Sequence, residues 1–170
     1  MSAGFPKRID THRLGDAGRE IIGELPYSDC ERLASLIESG KGRISVFLGF
    51  SKDDAGVWEV TGNIAGIVEM TCQRCLQPVE IPLELEISLG IVANENAADS
   101  LSTHLDPVIA DDGVIDLVAL VEDEMILALP SIPKHGQCEL PIEQGLVEVG
   151  EDEKSERENP FAVLESLKHK

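Results

Sequence analysis

Cys72 and Cys75 enclose only Gln73 and Arg74, and His135 with Cys138 repeats that spacing further along the chain. Thiolate sulfur and imidazole nitrogen are the donors that hold divalent zinc, and two such pairs complete a tetrahedral shell with no position left open. The expectation is a structural zinc site at Cys72, Cys75, His135 and Cys138, assembled by the fold because the pairs lie far apart in sequence. Two other readings of these residues stay open, a redox dithiol and buried thiols without metal. Redox use needs a thiol of lowered pKa, usually at a helix N-terminus, whereas Cys72 follows a strand-like run and Pro78 precedes another. Cys30 stands apart and reads as a structural core thiol. Arg74, held between two cysteines, is placed to bind a carboxylate or phosphate, or to form an ordinary surface salt bridge.

No catalytic constellation emerges from the rest of the chain. There is no phosphate-binding loop, nucleophile elbow or HExxH helix, and His12, His104, His135 and His169 are scattered. A hydrolytic zinc enzyme keeps an open coordination position and a nearby base, and neither can be named here. The reading is therefore non-enzymatic, with no small-molecule substrate. The alternative is an enzyme built on the CxxC, either a metal-dependent RNA-processing activity or a thiol oxidoreductase.

Charge narrows the choice of partner. The 170 residues carry a formal net charge of −18, and residues 51–170 hold seven basic and 25 acidic side chains. Affinity for nucleic acid comes from Lys and Arg that release phosphate counterions, so direct RNA binding by most of the chain is disfavoured. An acidic surface suits basic proteins, although the same charge also serves solubility alone. No apolar run approaches the length of a membrane span, and the opening MSAGFPKRID has no signal-peptide core, so a cytoplasmic protein is expected.

The elements that must position these residues follow from periodicity. At 42% apolar with six aromatics, the chain can bury a mostly aliphatic core. Lys7, Arg8, Arg13 and Arg19 mark a basic arm or edge strand. Ile21 and Ile22 fit a short strand, and Ser28 caps a predicted helix through Leu33, Leu36 and Ile37 that ends at Gly40. Arg43 to Phe50 and Val57 to Met70 read as a hairpin turning over residues 52–56, with Gly62 and Gly66 marking bulges or bends. Val79 to Ile91 alternates Glu80, Glu84 and Glu86 with aliphatics, a strand with one wet face. Asn94 to Thr103 reads as a mobile loop, followed by the run Pro107 to Ala110 and a turn over residues 111–113.

Ile115 to His135, IDLVALVEDEMILALPSIPKH, follows. Asp116 can cap a helix that runs to Leu129, where Pro130 stops it. Its apolar residues leave no clean polar face, so it is buried on several sides or docks a partner. Glu124 falls among Leu117, Leu120 and Leu127 and needs a polar partner if buried. Glu122, Asp123 and Glu124 are candidate partner contacts, or simply mark where the helix leaves the core. Residues 139–158 carry eight acids and read as a solvated linker. Asn159 and Pro160 then open a short helix with Phe161, Leu164 and Leu167 on one face, too short to be stable alone and expected to dock on a partner or on its own domain.

Cys72 to Leu76, Ile115 to His135 and Asn159 to Leu164 together resemble the YceD family, the large-ribosomal-RNA-subunit accumulation proteins of bacteria and plastids. The resemblance is strongest over residues 72–76, 115–135 and 159–170, and weaker over Arg19 to Ser39. It implies a non-enzymatic role in the synthesis, processing or stability of 23S rRNA. Combined with charge, it points to a basic ribosomal protein or large-subunit assembly factor as partner, contacted by Arg74, Glu122, Asp123, Glu124, Asn159, Pro160, Phe161 and Leu164. The expected architecture is α+β: one domain over residues 1–138 with a mainly antiparallel twisted sheet and packed helices, an acidic linker over 139–158, and a helical motif over 159–170.

Overall fold

A computed structural model describes residues 5–13, 18–53, 56–110 and 112–140. Asn159, Pro160, Phe161 and Leu164 lie outside them, as do the C-terminal motif and nearly all of the acidic segment.

Long alternating runs build the frame. Strands β2 (Arg19–Leu25), β3 (Ser39–Lys52), β4 (Trp58–Thr71) and β5 (Pro78–Val92) pair antiparallel in sequence order, and β6 (Asp106–Ile109) joins β5 in parallel. A separate antiparallel pair joins β1 (Arg8–Asp10) to β7 (Val114–Asp116). Among the described residues three α-helices join them: α1 (Glu31–Leu36), α2 (Glu95–Ala98) and α3 (Leu117–Leu127). The fold is thus α+β with a mainly antiparallel sheet.

Period-two alternation turns Ile44, Val46, Leu48 and Phe50 of β3 to one side, with Val60, Ile64 and Val68 of β4. Leu33 of α1 and Leu117, Leu120, Val121 and Met125 of α3 belong to the same buried cluster. The opposite face of β5 carries exposed Glu80, Glu84 and Glu86, the expected wet face, while the half-buried Ile81 and Leu85 lie on the core side opposite Val68 and Ile64.

Asp116 caps α3 as its sequence predicts, its carboxylate accepting from the Val118 and Ala119 amides. The helix ends at Leu127, two residues early, because Leu129 N–H turns tighter to reach the Ile126 carbonyl. Helix α1 departs further from expectation. Ser28 lies in a preceding 3-10 turn, and Ile37 is already extended because Glu38 N–H bonds to the Glu69 carbonyl of β4.

Gly62 and Gly66 keep continuous register with β5, so β4 is not bulged at either. The irregularity lies in β3, between Lys41 and Ser45, where Gly42 takes a positive φ of 73°. The two β4 glycines instead admit close neighbours. A Cβ on Gly62 would lie 2.0 Å from the Phe47 carbonyl oxygen, and one on Gly66 2.5 Å from the Tyr27 hydroxyl. The segment expected as a mobile loop contains α2, capped by the Asn94 side chain, and Leu101 packs over Gly90.

Candidate metal centre

Strand β4 delivers the chain to Cys72, and β5 leaves at Pro78, so the CxxC is a tight turn between two long paired strands. Cys72 N–H donates to the Gln77 carbonyl and Leu76 N–H to the Cys72 carbonyl, both at 2.9 Å. Closing that loop forces Leu76 into the left-handed region at φ 58°. Gln73 N–H then donates to the Pro133 carbonyl at 2.8 Å, which fastens the turn to the irregular segment that follows α3. With the His135 N–H on Cys72 Sγ at 3.4 Å, that bond holds the second pair of donors alongside the first.

The four donor atoms of Cys72, Cys75, His135 and Cys138 all lie within 4.8 Å of one another. Cys72 Sγ is 3.8 Å from Cys138 Sγ, and Cys75 Sγ is 3.3 Å from His135 Nδ1. A zinc tetrahedron with ordinary bond lengths has edges of about 3.6–3.8 Å, so the Cys72–Cys138 pair stands at that spacing, the Cys75–His135 pair slightly inside it, and the whole set within reach of one ion. Cys72, Cys75 and Val79 form a small buried cluster of their own, with Ile81 and Cys138 packed against it. The donor set and its packing fit a closed structural site, with all four positions taken by the protein.

The surroundings favour thiolate. Burial acts to raise the Cys72 pKa, but hydrogen bonds from the Cys75, His135 and Arg74 amides and from the His135 side chain bring it down to about 5. Cys75 goes the other way. The Gln77 amide lowers it, while burial and the Cys72 and Cys138 sulfurs raise it further, leaving it above the usual thiol range. Arg74 turns inward: its Nε–H donates to Cys138 Sγ at 2.8 Å and Nη2 to the His135 carbonyl at 2.9 Å. Three thiolates around a divalent ion leave one negative charge, and this guanidinium stands against it. Cys30 is elsewhere, fully buried in the main core, its thiol pushed up to about 11 by burial and by Glu122 and Asp29.

The three acids of α3 separate. Glu122 is buried, and its carboxylate accepts from the Arg32 amide at 2.6 Å, the Leu33 amide at 3.0 Å and the Arg32 guanidinium at 2.7 Å. It thereby caps α1, whose own N-cap residue Cys30 makes no side-chain cap. No local signal in the sequence marks Arg32 as its partner. Asp123 is exposed and pairs with the same guanidinium. Glu124 is half-buried, and burial with Asp106 and Asp123 raises its pKa.

A model described as large ribosomal RNA subunit accumulation protein YceD matches residues 60–168. A protein of that name from Haemophilus influenzae is 33% identical over 169 residues, covering 98% of this chain and 97% of the relative. The chain belongs to the YceD family. No solved structure matches it. The family match takes in both halves of the CxxC and His135–Cys138 cluster, as well as α3. No helix among the described residues is long and apolar enough to cross a membrane.

Proposed function

We propose that this YceD-family chain is a non-catalytic cytoplasmic factor that supports accumulation of 23S rRNA during large-subunit biogenesis, and that one structural zinc ion holds its Cys72, Cys75, His135 and Cys138 together. The observation that carries the functional part is the near end-to-end relationship to a protein named for that accumulation. The donor geometry carries the metal part. Four donors within 4.8 Å fill a tetrahedral shell, so an ion bound there would have no open position for a substrate or an activated water. When bound, zinc would supply cross-linking between the turn after β4 and the segment after α3, not Lewis-acid chemistry.

The protein acts through a basic partner, a ribosomal protein or an assembly factor. A net charge of −18 repels RNA and attracts Lys- and Arg-rich proteins. Arg74 is occupied with the cluster and Glu122 with α1, so the acids of α3 that face a partner are Glu124 and the exposed Asp123, which shares its charge with Arg32, together with Asn159, Pro160, Phe161 and Leu164 of the C-terminal motif. The test is the ratio of 23S to 16S rRNA in cells lacking the gene. A selective fall in 23S rRNA, restored by the intact gene, supports the reading, and an unchanged ratio overturns it.

A further inference from the structure

Strand β6 is the last strand of the five-stranded sheet, and α3 runs beside it, leaving an open cavity of about 650 Å3 between them. Its floor is apolar, with Leu120 and Leu89 buried beneath. Its rim keeps large apolar side chains in solvent: Leu127 is 80% exposed and Ile109 50%. Between these stand Asp106, Asp116, Asp123 and Glu124, and no basic side chain among the described residues lines the groove.

Two of those carboxylates are engaged. Asp116 caps α3, and Asp123 pairs with Arg32. Among the described residues Asp106 and Glu124 have no ion-pair partner, and Glu124 is half-buried beside Asp106 and Asp123, its pKa raised by burial first and by those two like charges next. An apolar floor, exposed Leu127 and crowded carboxylates are each unfavourable in water. An apolar side chain flanked by cations relieves all three at once.

We propose that the β6–α3 groove receives a lysine- and arginine-rich protein segment, with an apolar side chain of that segment entering over Leu120 between Ile109 and Leu127. This rests on the reading of the chain as a factor for basic ribosomal partners, and gives that reading a site. A second copy of this chain is the wrong occupant, because it would bring its own acidic surface to an acidic rim. RNA is wrong for the same reason.

The test uses the full-length chain with a photo-crosslinking residue, Leu127→benzoylphenylalanine, irradiated with the proteins extracted from washed large ribosomal subunits. The same residue at Ile22, 74% exposed on strand β2 at the far edge of the sheet, is the control. The expected adduct joins position 127 to an apolar residue flanked by Lys or Arg in one or a few basic proteins. It should fall about tenfold or more when Asp106→Lys and Glu124→Lys are combined, since a charge reversal of roughly 1.4 kcal/mol is tenfold in affinity. Equal labelling from Ile22, adducts to a second copy, or adducts indifferent to the charge reversal would overturn the proposal.

The two readings fail separately. If cells lacking the gene lose 23S rRNA but the Asp106→Lys, Glu124→Lys gene restores it fully, the groove proposal falls and the ribosomal reading stands. If charge-dependent adducts form while the 23S to 16S ratio is normal without the gene, the groove proposal stands and the ribosomal reading falls.

Discussion

Glu122 of α3 caps α1 from 89 residues away, its carboxylate oxygen accepting the Leu33 amide at 3.0 Å. A helix of six residues has no stability of its own, and its first amides need acceptors. Glu122 supplies them from the neighbouring helix, so the two helices are fastened before their apolar faces are considered.

Replacing that carboxylate should therefore cost more than removing its cationic partner. Glu122→Ala leaves the buried Leu33 amide and the part-buried Arg32 amide without acceptors and is expected to lower stability by about 2–3 kcal/mol. Arg32→Ala should cost only about 1 kcal/mol, since the guanidinium is half exposed and the amides still satisfy the acid. Urea denaturation midpoints for the two variants decide this, and equal midpoints would contradict the capping role.

Arg74 is expected to matter for metal retention more than for folding. Its bonds to Cys138 Sγ and the His135 carbonyl place it directly behind the donors. Groups in that position typically contribute 10- to 100-fold in metal affinity, so Arg74→Ala should release zinc to a chelator at about 10- to 100-fold lower chelator concentration. Arg74→Lys should recover little, because one ammonium cannot reach both acceptors in the geometry of the planar fork. Indistinguishable chelator titrations would show that Arg74 only decorates the surface.

Leu76 occupies a left-handed position, φ 58°, that closes the CxxC turn. A branched side chain there costs roughly 1–2 kcal/mol relative to glycine. Its side chain is 62% exposed, so little packing is lost on removal. Leu76→Gly should raise the thermal midpoint or leave it level once glycine's added unfolded-state entropy is counted. A large drop, seen by calorimetry, would mean that Leu76 contributes packing beyond what its exposure allows.

Acid should release the metal in a defined window. An unfolded cysteine titrates near about 8.5, whereas folded Cys72 titrates at about 5. Because the folded value is the lower, the thiolate's contribution is fully present above the unfolded value and is lost as pH falls through about 5. Zinc competes with protons at Cys72, Cys75, Cys138 and His135 together, so it should stay bound at pH 7 and be lost as the medium is acidified. Dialysis across pH 4–7 followed by metal analysis tests this, and a metal content unchanged down to pH 4 would contradict it.

Much of the frame could be read from the chain because it depends on local signals. The alternation of Val79 to Ile91, the Asp116 cap and the four metal-type donors each declare themselves within a few residues or by side-chain chemistry alone. What escaped depends on distance. Ser28 offered a local cap for α1, but the acceptor is Glu122, and nothing near Arg32 announces it. Gly62 and Gly66 looked like bulge markers because glycine's signature is the same whether the backbone bends or a neighbour approaches closely. At Gly62 it is the approach of Phe47, whereas Gly66 both admits Tyr27 and lies opposite the irregularity of the facing strand at Gly42. The four-residue α2 is too short to show a periodicity, and only the Asn94 cap marks it. The inward turn of Arg74 follows from where the segment after α3 places His135 and Cys138 against the β4–β5 turn, which no local pattern records.

Metal content of the purified full-length chain tests the central claim most directly. Native mass spectrometry, with elemental analysis of the same sample, should find one zinc ion per chain, lost together with folding in Cys72→Ser and His135→Ala variants. A chain that folds fully without metal and stays folded in a strong chelator would contradict the account.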